Sequence, residues 1–108
     1  MNRSVFVILF ALLASKILQA HEMGLETKIK GRELVIEVFY EDDTPAQDTL
    51  VNLKDESGKV IETGRTNLKG ICIFSVPKEG RYHLEAKDNS GHQVKVVLKI
   101  PSPQKDVK

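Results

Sequence analysis

From Leu25 to Ile100 apolar residues return at every second position, and turn signals interrupt them at roughly eight- to twelve-residue spacing. Side chains on a strand alternate between two faces, so this period lets each strand bury one face and wet the other. No 3.6-residue period competes with it after residue 20. Seven segments qualify as strands: LETKI (25–29), ELVIEVFYE (33–41), TLVNLKD (49–55), VIETGRT (60–66), ICIFSV (71–76), RYHLEAK (81–87) and HQVKVVLKI (92–100). The second has apolar residues on both faces, with Val35 and Phe39 opposite Leu34, Ile36 and Val38, which predicts a central strand. Val51, Leu53, Tyr82, Leu84, Ala86, Val94, Val96, Leu98 and Ile100 are expected to point inward. Gly64, inside the fourth segment, predicts a bulge or a close backbone approach. The pattern predicts an all-β, seven-stranded antiparallel β-sandwich with Greek-key pairing.

The first twenty residues have a different character. Arg3 is followed by the unbroken apolar run Val5–Leu13, and Ala20 is a small residue at the end of the segment. This is the pattern of a secretory signal peptide, too short and too interrupted by Lys16 for a membrane span. Residues 1–20 are therefore expected to form a signal helix that is cleaved. Residues 21–100 would form the sandwich, and 101–108 a polar, disordered tail. The product would be periplasmic or secreted, with no transmembrane segment in its mature part. Loss of Arg3 and Lys16 turns sixteen bases against fifteen acids into fourteen against fifteen. That near-neutral balance argues against nucleic acid as a partner. Cys72 is the single cysteine and sits in an apolar run, so it reads as a small buried hydrophobe.

The frame Gly64-x-Thr66-Asn67-x-x-Gly70-x-x-x-Phe74, followed by Gly80-x-Tyr82, resembles the transthyretin-like, carboxypeptidase-regulatory type of seven-stranded sandwich. Asn67 and Gly70 would shape a turn between strands, with Phe74 and Tyr82 filling the core. A second likeness covers most of the mature chain. His21, Tyr40, Pro45, Ala46, Val51, Gly58, Gly64, Thr66, Gly70, Phe74, Gly91 and His92 are similar to the small extracytoplasmic component of nickel and cobalt uptake systems, the nickel transport protein family. The chain departs from that family at Asp88, Asn89 and Ser90, which stand where Ala-Gly-Met is usual, and in the polar stretch PSPQKDVK after the sandwich, where that family usually has a membrane helix. The resemblance implies delivery of Ni²⁺ or Co²⁺ to a membrane metal-transporter complex.

Cleavage after Ala20 would make His21 the first residue. Its α-amine and Nδ1 can close a six-membered chelate ring on nickel, cobalt or copper. The amine titrates near ~7.7–8.0 and an imidazole near ~6.5, so a metal displaces both protons readily at neutral pH. His92, after the Asp88–Gly91 turn, is the expected donor from the other end of the chain. Glu22, Met23 and Asp88 are auxiliary donors: Met23 favours soft Cu(I), and the two carboxylates favour harder ions. His83 is out of phase with Tyr82 and Leu84 and should face solvent or a partner. Glu41, Asp42 and Asp43 precede a proline loop and read as a solvated turn. No phosphate loop, HExxH, CxxC or nucleophile elbow occurs, which predicts a protein that is not an enzyme. The alternative to metal handling is a metal-free interaction module that docks on a protein or a carbohydrate.

Overall fold

A computed structural model describes residues 22–102. Within them are seven strands: β1 (Met23–Lys30), β2 (Glu33–Tyr40), β3 (Leu50–Lys54), β4 (Val60–Arg65), β5 (Ile71–Ser75), β6 (Gly80–Lys87) and β7 (Gln93–Ile100). Among the described residues there is no helix. The strands form two antiparallel sheets, one in the order β1-β2-β5 and one in the order β4-β3-β6-β7. β2 is the middle strand of its sheet, as its two apolar faces require.

Leu34, Ile36 and Val38 from one sheet and Val51, Leu53, Leu84 and Ala86 from the other are buried in a shared core, which Cys72, Phe74 and Tyr82 complete. Burial and the nearby Glu62 push the Cys72 thiol up to about 11. Ile100 is buried, whereas Val94, Val96 and Leu98 are only partly covered, because β7 is an edge strand with one neighbour. Ile29 lies near the far end of the edge strand β1 and stays 45% exposed. Gly64 marks a close approach: a Cβ there would lie 3.1 Å from both Cys72 Sγ and the Phe74 ring. The register irregularity lies elsewhere on the same strand, where Ile61 is the extra residue opposite the Leu53–Lys54 step.

Several strands stop one residue short of the sequence pattern because the boundary residues bond elsewhere: Asp55 and His92 within turns, Thr49 and Thr66 to each other at a crossing between the sheets. Three turns share one geometry: Asp55-x-x-Gly58, Asn67-x-x-Gly70 and Asp88-x-x-Gly91. In each, the side-chain Oδ1 of the first residue accepts from the backbone amides two and four residues on. The backbone of the first residue bonds back at the same place, as in Asp55 N to Lys59 O, Asn67 N to Ile71 O and Asp88 N to His92 O. Each glycine has positive φ: +93° at Gly58, +76° at Gly70 and +95° at Gly91. Such Asx turns satisfy backbone donors that a ladder would otherwise need. His92 therefore belongs to a turn, and β7 begins at Gln93.

The crossings between sheets are tied by buried polar groups. The β2–β3 and β4–β5 connections meet at Thr66, whose hydroxyl donates to Ala46 O at 2.5 Å and accepts from Thr49 N at 2.8 Å. Thr66 N donates to Thr49 O at 3.0 Å, and Asp48 N to Thr66 O at 3.0 Å. Thr49 and Thr66 are the two buried polar residues of the described region. Beyond the β5 ladder, Val38 N donates to Gly70 O and Ala46 N to Val38 O.

Thr66→Val keeps the volume but strands the buried Thr49 N–H, so it should cost about 2–3 kcal/mol in urea unfolding. A cost below half a kcal/mol would show that the hydroxyl is dispensable. Gly70 and Gly58 form a matched pair for a second test. Both need positive φ, but a Cβ at Gly70 would lie 2.5 Å from Val38 O, while none lies near Gly58. Gly58→Ala should cost about 1–2 kcal/mol, the left-handed penalty alone, and Gly70→Ala clearly more. Equal unfolding midpoints would contradict the close approach.

Candidate functional site

The three Asx turns differ in one respect. Asp55 and Asn67 are followed, four residues on, by Lys59 and Ile71; Asp88 is followed by His92. Because the turn folds residue 92 back over residue 88, the imidazole Nδ1 lies 2.8 Å from Asp88 Oδ2. The same oxygen accepts from the Tyr40 hydroxyl at 2.7 Å. Tyr40 is the last residue of β2, brought to the β6–β7 hairpin by the packing of the two sheets. Its ring meets that of His92 edge-on, with centroids 5.6 Å apart and planes at 71°.

Asp88 thus receives four donors: the Ser90 and His92 amides on Oδ1, and Tyr40 and His92 on Oδ2. Burial opposes its ionisation, but these hydrogen bonds outweigh burial and hold the carboxyl below its usual range. The Tyr40 hydroxyl is pushed up, first by its hydrogen bond to Asp88, then by burial and by the carboxylate charge. An ionised carboxylate only accepts, so His92 Nδ1 carries the proton in this pair. In the neutral ring the lone pair is then on Nε2. The Asp88 side chain is 10% exposed and that of His92 35%, so the carboxylate is covered while the imidazole reaches solvent. An open hollow of about 650 Å³, lined by Tyr40, Glu41, Asp42, Thr44 and His92, adjoins the ring. Thr44 caps Asp42 there at 2.7 Å.

The sequence-derived candidates fall as follows. Met23 opens β1 directly opposite Tyr40 in the register and is buried in the core. Glu22 precedes it and is exposed. Asp88 and His92 are in contact. His83 is on the outer face of the four-stranded sheet, out of phase with buried Tyr82 and Leu84, as alternation requires. His21 lies outside the described residues, as do the leader and most of the tail. Among the described residues no three His, Cys, Asp or Glu side chains gather so as to hold a metal ion. Tyr40 was not among the candidate donors. It is 48 residues from Asp88 along the chain, and nothing local in its segment marks the hydroxyl as paired.

Comparison of the chain with protein-family models and with curated proteins finds no match.

Asp88→Asn should separate the two roles of the carboxylate. The amide oxygen can still accept from the turn, but its NH₂ cannot accept from both Tyr40 and His92. The variant should lose about 1.5–3 kcal/mol near neutral pH. The sign of the pH effect follows from the lowered folded value. The stabilisation is fully present above the ordinary carboxylate value near ~3.9 and is lost as pH falls below it through the folded value. Urea unfolding between about pH 6 and 2 should therefore show a smaller acid-dependent loss in Asp88→Asn than in the native chain. Parallel pH profiles would contradict the assignment.

Proposed function

We propose that this chain is an exported, non-catalytic Greek-key sandwich of the transthyretin-like, carboxypeptidase-regulatory type. It would bind a transition-metal ion (nickel, cobalt or copper) as cargo and support its delivery to a membrane metal transporter. The observation that carries the reading is the carboxylate-held imidazole of His92. Metal-binding histidines characteristically donate their second ring N–H to a carboxylate, which fixes the tautomer and makes the other nitrogen a better donor. Asp88 does this for His92, while Tyr40 and two amides hold Asp88. The neighbouring strand supports the reading as well. Tyr40 pairs with Met23, two residues after His21, so the start of β1 belongs to the same end of the domain.

In this reading His21 supplies the α-amine and imidazole and His92 supplies Nε2. Asp88 orients His92 instead of touching the metal, since its four acceptor positions are already used. Met23 packs the core beneath the site, and exposed Glu22 is the remaining oxygen donor. Nitrogen ligands would rank Cu²⁺ above Ni²⁺ in raw affinity, whatever the cargo.

The test is calorimetric titration of the exported product, with His21 verified as its first residue by mass analysis. Ni²⁺ and Cu²⁺ should bind, Cu²⁺ more tightly. One residue added before His21 converts the amine to an amide and should weaken binding at least tenfold. His92→Ala should do likewise, and Asp88→Asn, which loses the carboxylate that orients the imidazole, should cost about tenfold. Equal affinities across these proteins, or an exported product that retains residues 1–20, would sink the proposal.

A further inference from the structure

The charges of this chain are nearly balanced in sum but not in space. Burial alternation assigns each residue of the four-stranded sheet to a face. Leu53, Tyr82, Leu84 and Ala86 are buried, so Lys54 of β3 and Arg81, His83, Glu85 and Lys87 of β6 point outward. On β7, Lys95, Val97 and Lys99 alternate outward with the partly buried Val94, Val96 and Leu98. The outer face of β3, β6 and β7 therefore carries five cations, Lys54, Arg81, Lys87, Lys95 and Lys99. Glu85 is the one carboxylate on the outer faces of these strands, a formal +4, with Glu56 and Glu79 in the adjoining turns beside Lys54 and Arg81.

Two features show that this is more than solvated decoration. First, the register sets Arg81 directly opposite Lys99. Like charges directly across a ladder destabilise a sheet, whereas only Glu85 and Lys95 form a complementary pair. Second, lysine on an edge strand can serve to block strand addition, which accounts for β7 but not for β6. β6 is an interior strand, flanked by β3 and β7, and it carries Arg81 and Lys87.

The layout also discriminates among anions. A depression of about 270 Å³ beside Lys54, His83 and Lys95 is lined by Glu56 and holds Glu85, bridged to Lys54 at 3.1 Å and to Lys95 at 3.5 Å. That carboxylate would repel a single small anion seated there. Arg81, Lys87 and Lys99 make no ion pair among the described residues and are spread over the sheet. Neighbouring strands lie about 4.8 Å apart and alternate residues about 7 Å apart, so the cations form a broad array. No Phe or Tyr points out of this face of β3, β6 and β7, so bases and sugars find no stacking platform. Val97, 57% exposed, stands amid the cations as an apolar contact.

We infer that the outer face of β3, β6 and β7 docks the domain flat on an anionic phospholipid surface. A sheet of headgroup phosphates complements a distributed array of cations, and Val97 enters the headgroup layer. The inference is independent of the metal proposal.

Co-sedimentation of the full chain with vesicles tests it. One set is phosphatidylcholine alone; the other contains phosphatidylglycerol as well. The apolar run Val5–Leu13 and its flanking Arg3 and Lys16 are common to the native chain and the variants, so the loss of anionic-vesicle binding on substitution reads the basic face. Binding should be stronger to the anionic vesicles, and the excess should vanish near 1 M salt, where the Debye length is about 3 Å. Each Lys or Arg near an anionic surface is worth roughly fivefold, so Arg81→Glu should weaken the excess by about tenfold or more. The same change sets a carboxylate opposite Lys99 and should leave the melting temperature unchanged or higher. That separates lost docking from lost folding. Lys87→Glu, opposite neutral Gln93, should weaken docking similarly. Equal sedimentation with both vesicle types, or undiminished binding by both variants, would overturn the inference. So would capture by soluble heparin with no excess on the anionic vesicles, which would assign the face to a polyanionic chain.

Discussion

The hydroxyl of Thr66 sets the relation between the two sheets. Each sheet is assembled from strands that are not all consecutive, so the chain must cross between layers. A crossing buries backbone groups that have no ladder to join. At Thr66 two crossings satisfy one another: the β4–β5 connection supplies the hydroxyl, and the β2–β3 connection supplies the Ala46 carbonyl and the Thr49 amide. With those groups paired, the end of β2 can settle against the β6–β7 hairpin. Without that settlement Tyr40 and Asp88 would have no reason to meet.

The candidate site is an ordinary turn with two additions. The Asx geometry recurs at Asp55, Asn67 and Asp88, so the backbone alone does not single out the last of them. A histidine replaces the following residue, and a tyrosine arrives from the other sheet. Both go to the same oxygen.

Much of the fold was legible because alternation and turn chemistry are local. The seven strands, the centrality of β2, the burial of Cys72 and the roles of Asn67 and Gly70 all follow from short stretches of residues. Sheet order is not local, and nothing in the alternation says that β5 joins β2 while β6 joins β3. The site was half legible. Asp88 and His92 lie within one turn and are visible together, but Tyr40 reaches them only through tertiary packing. Met23 looked like a donor because it sits beside His21; its pairing with Tyr40 puts its thioether in the core instead. The basic face was hidden for a related reason. A net charge sums over faces, and the acids of the turns cancel the bases of the sheet.

The buried position of Cys72 bears on how the chain meets disulfides. With its thiol pushed up to about 11, the sulfur stays protonated at neutral pH, and it is packed beneath Gly64. Exchange with foreign disulfides requires the thiolate to emerge. The native domain is accordingly protected from mixed-disulfide capture and from cross-linking into covalent pairs, and the lone sulfhydryl becomes a liability only when the two layers separate.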